Sequence, residues 1–158
     1  MPTERSSSIA TVQAAPDIGE RLDPIKVTGL LLVATITVTV VGTEAAGDTV
    51  KLIKLPKRAM IDPSLSSVVS EGVATVATVD IGDDDTAGVG AAADPDRYAD
   101  GLDVAAAGVD KFDAIAAAAR LVPYILGAES WIILKWATVT TPVADKKLLV
   151  RLAYIVVA

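Results

Sequence analysis

Apolar and threonine side chains alternate along the segment that begins at Leu30, and this alternation is the strongest constraint on the fold. One side of the segment carries Ala34, Ile36, Val38 and Val40, and the other carries Thr35, Thr37 and Thr39. A period of two residues is typical of a β-strand with one buried face and one face in contact with water. Because threonine is β-branched, it suits the exposed side of a pleated sheet. The segment therefore predicts a strand whose apolar side faces a core.

Similar signals recur along the rest of the chain. Strands are predicted at 49–55, 73–81, 130–140 and 147–157, together with a segment at 59–69 that Asp62-Pro63 interrupts and a short strand near 98–102. A long loop is predicted at 82–95. The stretch 110–127 favours either a strand or irregular structure, with a short helix over its alanine-rich part, 113–120, as the alternative. Since no β–α–β rhythm occurs, we expect an all-β antiparallel sandwich, namely a jelly roll of about eight strands. An immunoglobulin-like sandwich is the alternative.

The apolar residues of this chain are mostly small or aliphatic. Hydrophobic residues make up 52% of the 158 positions, whereas aromatic residues make up only 4%. A chain of this length can bury a core without disulfides or metals, so we expect one sandwich domain over residues 26–158. Trp131 and Trp136 lie five positions apart in one predicted strand and should point to opposite faces, with one of them in the core.

Several kinds of chemistry are disfavoured by composition. The chain has no histidine and no cysteine, which removes the usual general base, thiol catalysis and the commonest zinc ligands. We therefore expect a protein that is not an enzyme and that needs no cofactor. The net charge of −6 disfavours nucleic-acid binding, and the longest apolar stretch, 27–41, is too short and too rich in threonine to predict a membrane span. The basic residues Lys51, Lys54, Lys57 and Arg58 are interpreted as a solvated strand edge.

An acidic cluster follows the predicted strand at 73–81. It comprises Asp80, Asp83, Asp84, Asp85, Asp94, Asp96, Asp100 and Asp103. Carboxylates near glycine could hold calcium, but their spacing differs from that of the EF-hand loop. We interpret the cluster as a solvated loop and keep a calcium site as the alternative.

The first 25 residues differ in composition from the rest of the chain. They are rich in serine, proline and charge and show no periodicity, which is typical of a segment without a core of its own. We expect an extended N-terminal arm that is held by neighbouring subunits. Its candidate contact residues are Ile9, Val12, Ile18 and Leu22.

Four segments together resemble a known family. They are the run 27–41 with the following GTEAAGDTVKLIKLPKRAMIDPSLS, then VATVDIGDDD, then DPDRYADGLDV, and finally KKLLVRLAYIVVA. In arrangement, residues 26–158 resemble small structural proteins of tailed bacteriophages, specifically the head decoration, or cement, proteins. The alanine-rich stretch departs from this pattern because it is less clearly a strand.

The resemblance implies a virion protein with a jelly-roll body on the capsid surface. It implies the major capsid protein as partner, assembly into a homo-oligomer that is expected to be a trimer, and no active-site residues. Another virion component, such as a tail protein or the shell protein itself, is one alternative. A carbohydrate-binding β-sandwich module is the other.

Overall fold

The computed structural model describes residues 31–85, 93–112 and 124–157. In this part of the chain, nine strands and one short 3-10 helix, Pro63–Leu65, form the regular structure. The strands are β1 (Leu31–Thr39), β2 (Thr49–Leu55), β3 (Ala59–Ile61), β4 (Ser67–Glu71), β5 (Ala74–Asp83), β6 (Asp94–Asp103), β7 (Ala107–Lys111), β8 (Ser130–Pro142) and β9 (Lys147–Val156). Across these same ranges, no helix is long and apolar enough to cross a membrane.

The strands form two antiparallel sheets. The five-stranded sheet has the order β1-β9-β4-β7, with β3 paired to the far end of β9, and the four-stranded sheet has the order β2-β8-β5-β6. All-β architecture with two antiparallel sheets, as predicted from the alternation, is thus confirmed.

Pairing between the strands is nested along the chain. The first strand pairs with the last one (β1 with β9), β2 pairs with β8, β4 with β7 and β5 with β6. Such nesting is what results when one long antiparallel hairpin is folded across itself, so that successive strand pairs alternate between the two sheets. The short strand β3 is an addition to this scheme, since it extends only the end of β9.

The core lies between the inward faces of the two sheets. On β1 the even-numbered residues point inward and the odd-numbered ones outward, as the alternation predicts. The largest fully buried side chains are Trp136 and Phe112, and the rest of the core is mainly Val, Leu, Ile and Ala. Trp136 is in the core and Trp131 is half-buried on the outer face, so the prediction that the two indoles point apart is confirmed.

One local prediction is confirmed and two need correction. The interruption predicted at Asp62-Pro63 is present, because the 3-10 helix at Pro63 divides the segment 59–69 into β3 and β4, and β9 changes partner from one to the other. The loop predicted at 82–95 is shorter, since β5 continues to Asp83 and β6 begins at Asp94. The short strand near 98–102 is in fact ten residues long. Of the ambiguous stretch 110–127, the first two residues end strand β7, and residues 113–123 lie outside the described residues, as does the predicted arm.

Candidate assembly surfaces

The aspartates at the end of β5 are bound within the chain. Asp83 is fully buried, and its Oδ2 accepts hydrogen bonds from the Tyr98 hydroxyl at 2.6 Å and from Arg97 Nε at 2.8 Å. Its Oδ1 accepts from the backbone N–H of Asp85 at 3.0 Å. A buried carboxylate is stable only when it is paired and hydrogen-bonded, and these three donors meet that requirement.

Asp84 and Asp85 connect the same strand end to distant parts of the chain. Asp85 Oδ2 accepts from the Tyr124 hydroxyl at 2.9 Å and from the backbone N–H of Gly127 at 2.7 Å. Asp84 Oδ1 accepts from the backbone N–H of Trp131 at 2.7 Å. The three consecutive aspartates therefore fasten β5 to β6, to the segment before β8, and to β8 itself.

Arg97 completes this network. Its guanidinium carbon lies 3.7 Å from the centroid of the Tyr124 ring, and its Nη1 lies 3.8 Å from Asp94 Oδ2. Burial raises the pKa of Asp83, whereas the Tyr98 hydroxyl and the charge of Arg97 act in the opposite direction. Burial also raises the pKa of Tyr124 to about 12, with a further contribution from its hydrogen bond to Asp85. The network is thus held by phenols that stay protonated as donors.

The interpretation of the acidic cluster as a solvated loop is wrong for three of its members. Asp80, Asp83 and Asp85 are 4%, 0% and 1% exposed. Asp80 accepts from the backbone N–H of Gly101 at 3.0 Å and lies 3.6 Å from Lys135 Nζ. Among the described residues, no group of three or more acidic side chains converges in a way that could hold a metal ion.

The outer face of the five-stranded sheet carries exposed apolar side chains on both sides of a charged row that contains Arg151 and Lys111. On β1 the side chains of Leu31 and Val33 are 45% and 63% exposed. Across the sheet, Thr37 pairs with Leu149, Leu149 with Val69, and Val69 with Val109, which is 63% exposed. We call this surface, from Leu31 on β1 to Val109 on β7, the apolar face. Exposed apolar side chains that are flanked by polar and charged residues on one sheet face are typical of a surface that a partner covers.

The edge of the apolar face has little protection against pairing. Strand β1 is nine residues long, contains no charge, proline or glycine, and keeps an unbroken register with β9. Natural edge strands usually carry charges, prolines or bulges that prevent further pairing. Within the described ranges, β1 pairs with β9 alone, which makes its other edge a second candidate contact.

The outer face of the four-stranded sheet is polar. Lys51 Nζ lies 5.5 Å from the centroid of the Trp131 ring, and Lys54 Nζ lies 2.7 Å from Glu129 Oε1. Further along, Thr78 and Thr138 share a hydrogen bond of 2.8 Å between their hydroxyls. The prediction that Lys51 and Lys54 lie on an exposed strand edge agrees with β2, which is an end strand of this sheet.

The predicted arm contacts cannot be placed on either surface. Ile9, Val12, Ile18 and Leu22 lie outside the described residues. What the structure adds is the apolar face and the β1 edge, which sequence reasoning did not identify. Their sequence signal was the lack of any charge in β1 combined with apolar residues at two of its outward positions.

Comparisons with known proteins place the fold among those found in phage capsids. A chain from the capsid of Ralstonia phage GP4 is 23% identical with a TM-score of 0.62, and the match covers 87% of this chain and 92% of that one. A chain from the capsid asymmetric unit of cyanophage Pam1 is 20% identical with a TM-score of 0.56, covering 99% of each chain. No protein-family model matches, and no curated protein gives a significant match. The chain therefore shares a fold with two chains found in phage capsids.

Proposed function

We propose that this chain is a virion structural protein that decorates the capsid surface of a tailed bacteriophage and stabilises the shell. The fold similarity to chains of two phage capsids is the observation that carries the proposal. Because the match with the cyanophage chain covers 99% of both partners, that chain is about as long as this one. The cyanophage chain shows that a chain with this fold and of this size can be part of a capsid.

The nested strand pairing supports a jelly-roll body. Without β3, the sheet orders become first-eighth-third-sixth and second-seventh-fourth-fifth. Two Greek keys packed as a double sheet give this arrangement, and capsid proteins commonly use it. Each sheet of such a body keeps two edge strands, and their open sides are available for contacts between subunits.

The apolar face and the β1 edge of this chain form the proposed surface that binds the major capsid protein. Binding there would cover Leu31, Val33 and Val109, and burial of apolar surface contributes roughly 25 cal/mol for each Å². The predicted arm, residues 1–25, would add contacts to neighbouring subunits through Ile9, Val12, Ile18 and Leu22. Such a role requires no catalytic residue, which agrees with the absence of histidine and cysteine from the sequence.

A binding experiment with capsids tests the proposal. Capsids assembled from the major capsid protein of the same virus are mixed with the purified chain, and both co-sedimentation and the temperature of capsid rupture are measured. We expect saturable binding and a higher rupture temperature. Absence of co-sedimentation at every concentration would contradict the proposal.

Two substitutions sharpen this experiment. Val33→Lys places a charge on the apolar face, and Val76→Lys places the same charge on the other sheet, where Val76 is 52% exposed. We expect the first variant to bind capsids at least about tenfold more weakly, and the second to bind like the unmodified protein. A third variant that lacks residues 1–25 measures the contribution of the arm.

A role as a component of the shell itself is the second candidate, because both similar chains come from capsid assemblies. Expression of the major capsid protein with and without this chain separates the two roles. Closed shells that form only in its presence would favour the second candidate, whereas shells that form without it and then bind it favour decoration.

A further inference from the structure

The two edge strands of the four-stranded sheet carry opposite charges. Strand β2 forms one edge and β6 the other. Lys51 and Lys54 are exposed on β2, and Asp100 and Asp103 are exposed on β6. A sheet with one basic edge and one acidic edge can join a second copy of itself edge to edge, because each edge finds its complement on the neighbour.

A bulge in β2 directs both of its lysines to the same face. Lys51 pairs with Ile133 and Lys54 pairs with Trp131, and these two partners are two residues apart on the outer face of β8. Without the register shift between Lys51 and Ile53, residues three apart would point to opposite faces. The bulge therefore creates a pair of positive charges on one face of the edge.

A second irregularity does the same for the aspartates of β6. Ala99 and Leu102 both point into the core, so the chain contains one extra residue between them. Gly101, with a φ of +68°, supplies this irregularity, and Asp100 and Asp103 consequently both lie outside. In each pair the bulge leaves its members opposite residues that are only two positions apart on the neighbouring strand, so about 7 Å separates the two lysines along the edge, and a similar distance separates the two aspartates.

We propose that copies of this chain associate head to tail through these edges, with Lys51 and Lys54 of one copy facing Asp100 and Asp103 of the next. The contact joins two different surfaces, so it continues from copy to copy until it closes into a ring. This inference rests on the homo-oligomer that the resemblance to decoration proteins leads us to expect, and deepens it by naming the contact. It does not involve the apolar face, which stays available for the capsid.

Charge complementarity is the reason to assign a second copy as the occupant. The chain has a net charge of −6, so most orientations of two copies repel each other. Contact between the basic edge and the acidic edge replaces this repulsion by attraction. Lys51 Nζ lies over the Trp131 ring, whereas Lys54 Nζ already forms an ion pair with Glu129, so a partner carboxylate would share Lys54 with Glu129. Exposed ion pairs contribute modestly to affinity and mainly select the partner and its register.

A charge-swap experiment tests the contact. The association constant of the purified chain is measured by sedimentation equilibrium at low and high salt for three variants. They are Lys51→Glu with Lys54→Glu, Asp100→Lys with Asp103→Lys, and the combination of all four. We expect each double variant to associate at least about tenfold more weakly, and the fourfold variant to return to within about threefold of the unmodified chain. Circular dichroism and melting temperature verify that each variant is folded.

A control variant separates the contact from net charge. Lys111→Glu with Lys147→Glu changes the net charge as much as the β2 variant does, but both lysines lie on strands of the other sheet. It should associate like the unmodified chain. A monomeric unmodified chain, equal weakening by the control, or a folded fourfold variant that does not regain association would each overturn the inference. Since this measurement uses the purified chain and the proposed function is tested with capsids, the two can fail separately.

Discussion

Replacement of Tyr98 by phenylalanine tests whether the buried aspartate network holds the sandwich together. The phenol donates to Asp83 Oδ2 at 2.6 Å, and Asp83 is fully buried. Phenylalanine keeps the ring and its packing but removes one of the three donors that Asp83 has. A hydrogen bond to a buried charged group contributes about 1.5–3 kcal/mol, so we expect the free energy of unfolding to fall by about 2 kcal/mol. For a chain of this size the melting temperature would fall by about 4–8 °C.

The loss of unfolding free energy in Tyr98→Phe should depend on pH, and the structure specifies the direction. Burial raises the pKa of Asp83, and the Tyr98 hydroxyl opposes that rise, so Tyr98→Phe raises the pKa further. Below the raised pKa the carboxyl is neutral, and a hydrogen bond between neutral groups contributes only about 1 kcal/mol. We therefore expect the variant to be destabilised by about 1 kcal/mol more near pH 7 than near pH 3.

Urea unfolding followed by circular dichroism at several pH values measures both quantities. Tyr154→Phe is the matched control, because Tyr154 is half-buried and packs against the same core. A loss below about 0.5 kcal/mol, or a loss that is the same in acid and at neutral pH, would refute the reasoning that Tyr98 stabilises an ionised carboxylate.

Two further predictions concern the same region. Gly82→Ala should cost about 3 kcal/mol or more, because a Cβ there would lie 1.9 Å from the carbonyl oxygen of Asp94 and 2.3 Å from the carbonyl carbon of Pro95. Thermal unfolding should show little change for the control Gly108→Ala, whose Cβ would meet nothing within 4 Å. Burial raises the pKa of Asp83 and of Asp94, so the folded chain holds these protons more tightly than the unfolded chain. The contribution of both groups to the free energy of unfolding is therefore greatest below the ordinary aspartate pKa of about 4 and declines as the pH rises through the raised values. In Asp94→Asn, urea unfolding across this range should show a smaller decline than in the unmodified chain, and an equal decline would contradict the assignment to Asp94.

The strands and their faces were largely predictable from the sequence. Alternation from Leu31 to Thr39 defines which side of β1 is buried, because side-chain direction in a strand depends only on the parity of the position. The same rule predicted that Trp131 and Trp136 point to opposite faces, and the structure shows that Trp136 is the one in the core. The parity rule fails where a bulge inserts an extra residue, as at Leu52 or Gly101. The position of a bulge depends on the pairing with the neighbouring strand, so the local sequence pattern does not predict it.

The sequence by itself determined that this chain forms β-strands with one apolar side and that its composition lacks the usual catalytic groups. Only the tertiary structure decided which groups the aspartates at positions 83–85 bind. Asp85 meets Tyr124 and Gly127, which are 39 and 42 residues away, and Asp84 meets Trp131 at a separation of 47. Three neighbouring aspartates look solvated in a sequence because their partners are distant along the chain. The two charged edges were also decided by the tertiary structure. Lys51 and Asp103 lie on opposite edges of one sheet only because its strand order is β2-β8-β5-β6.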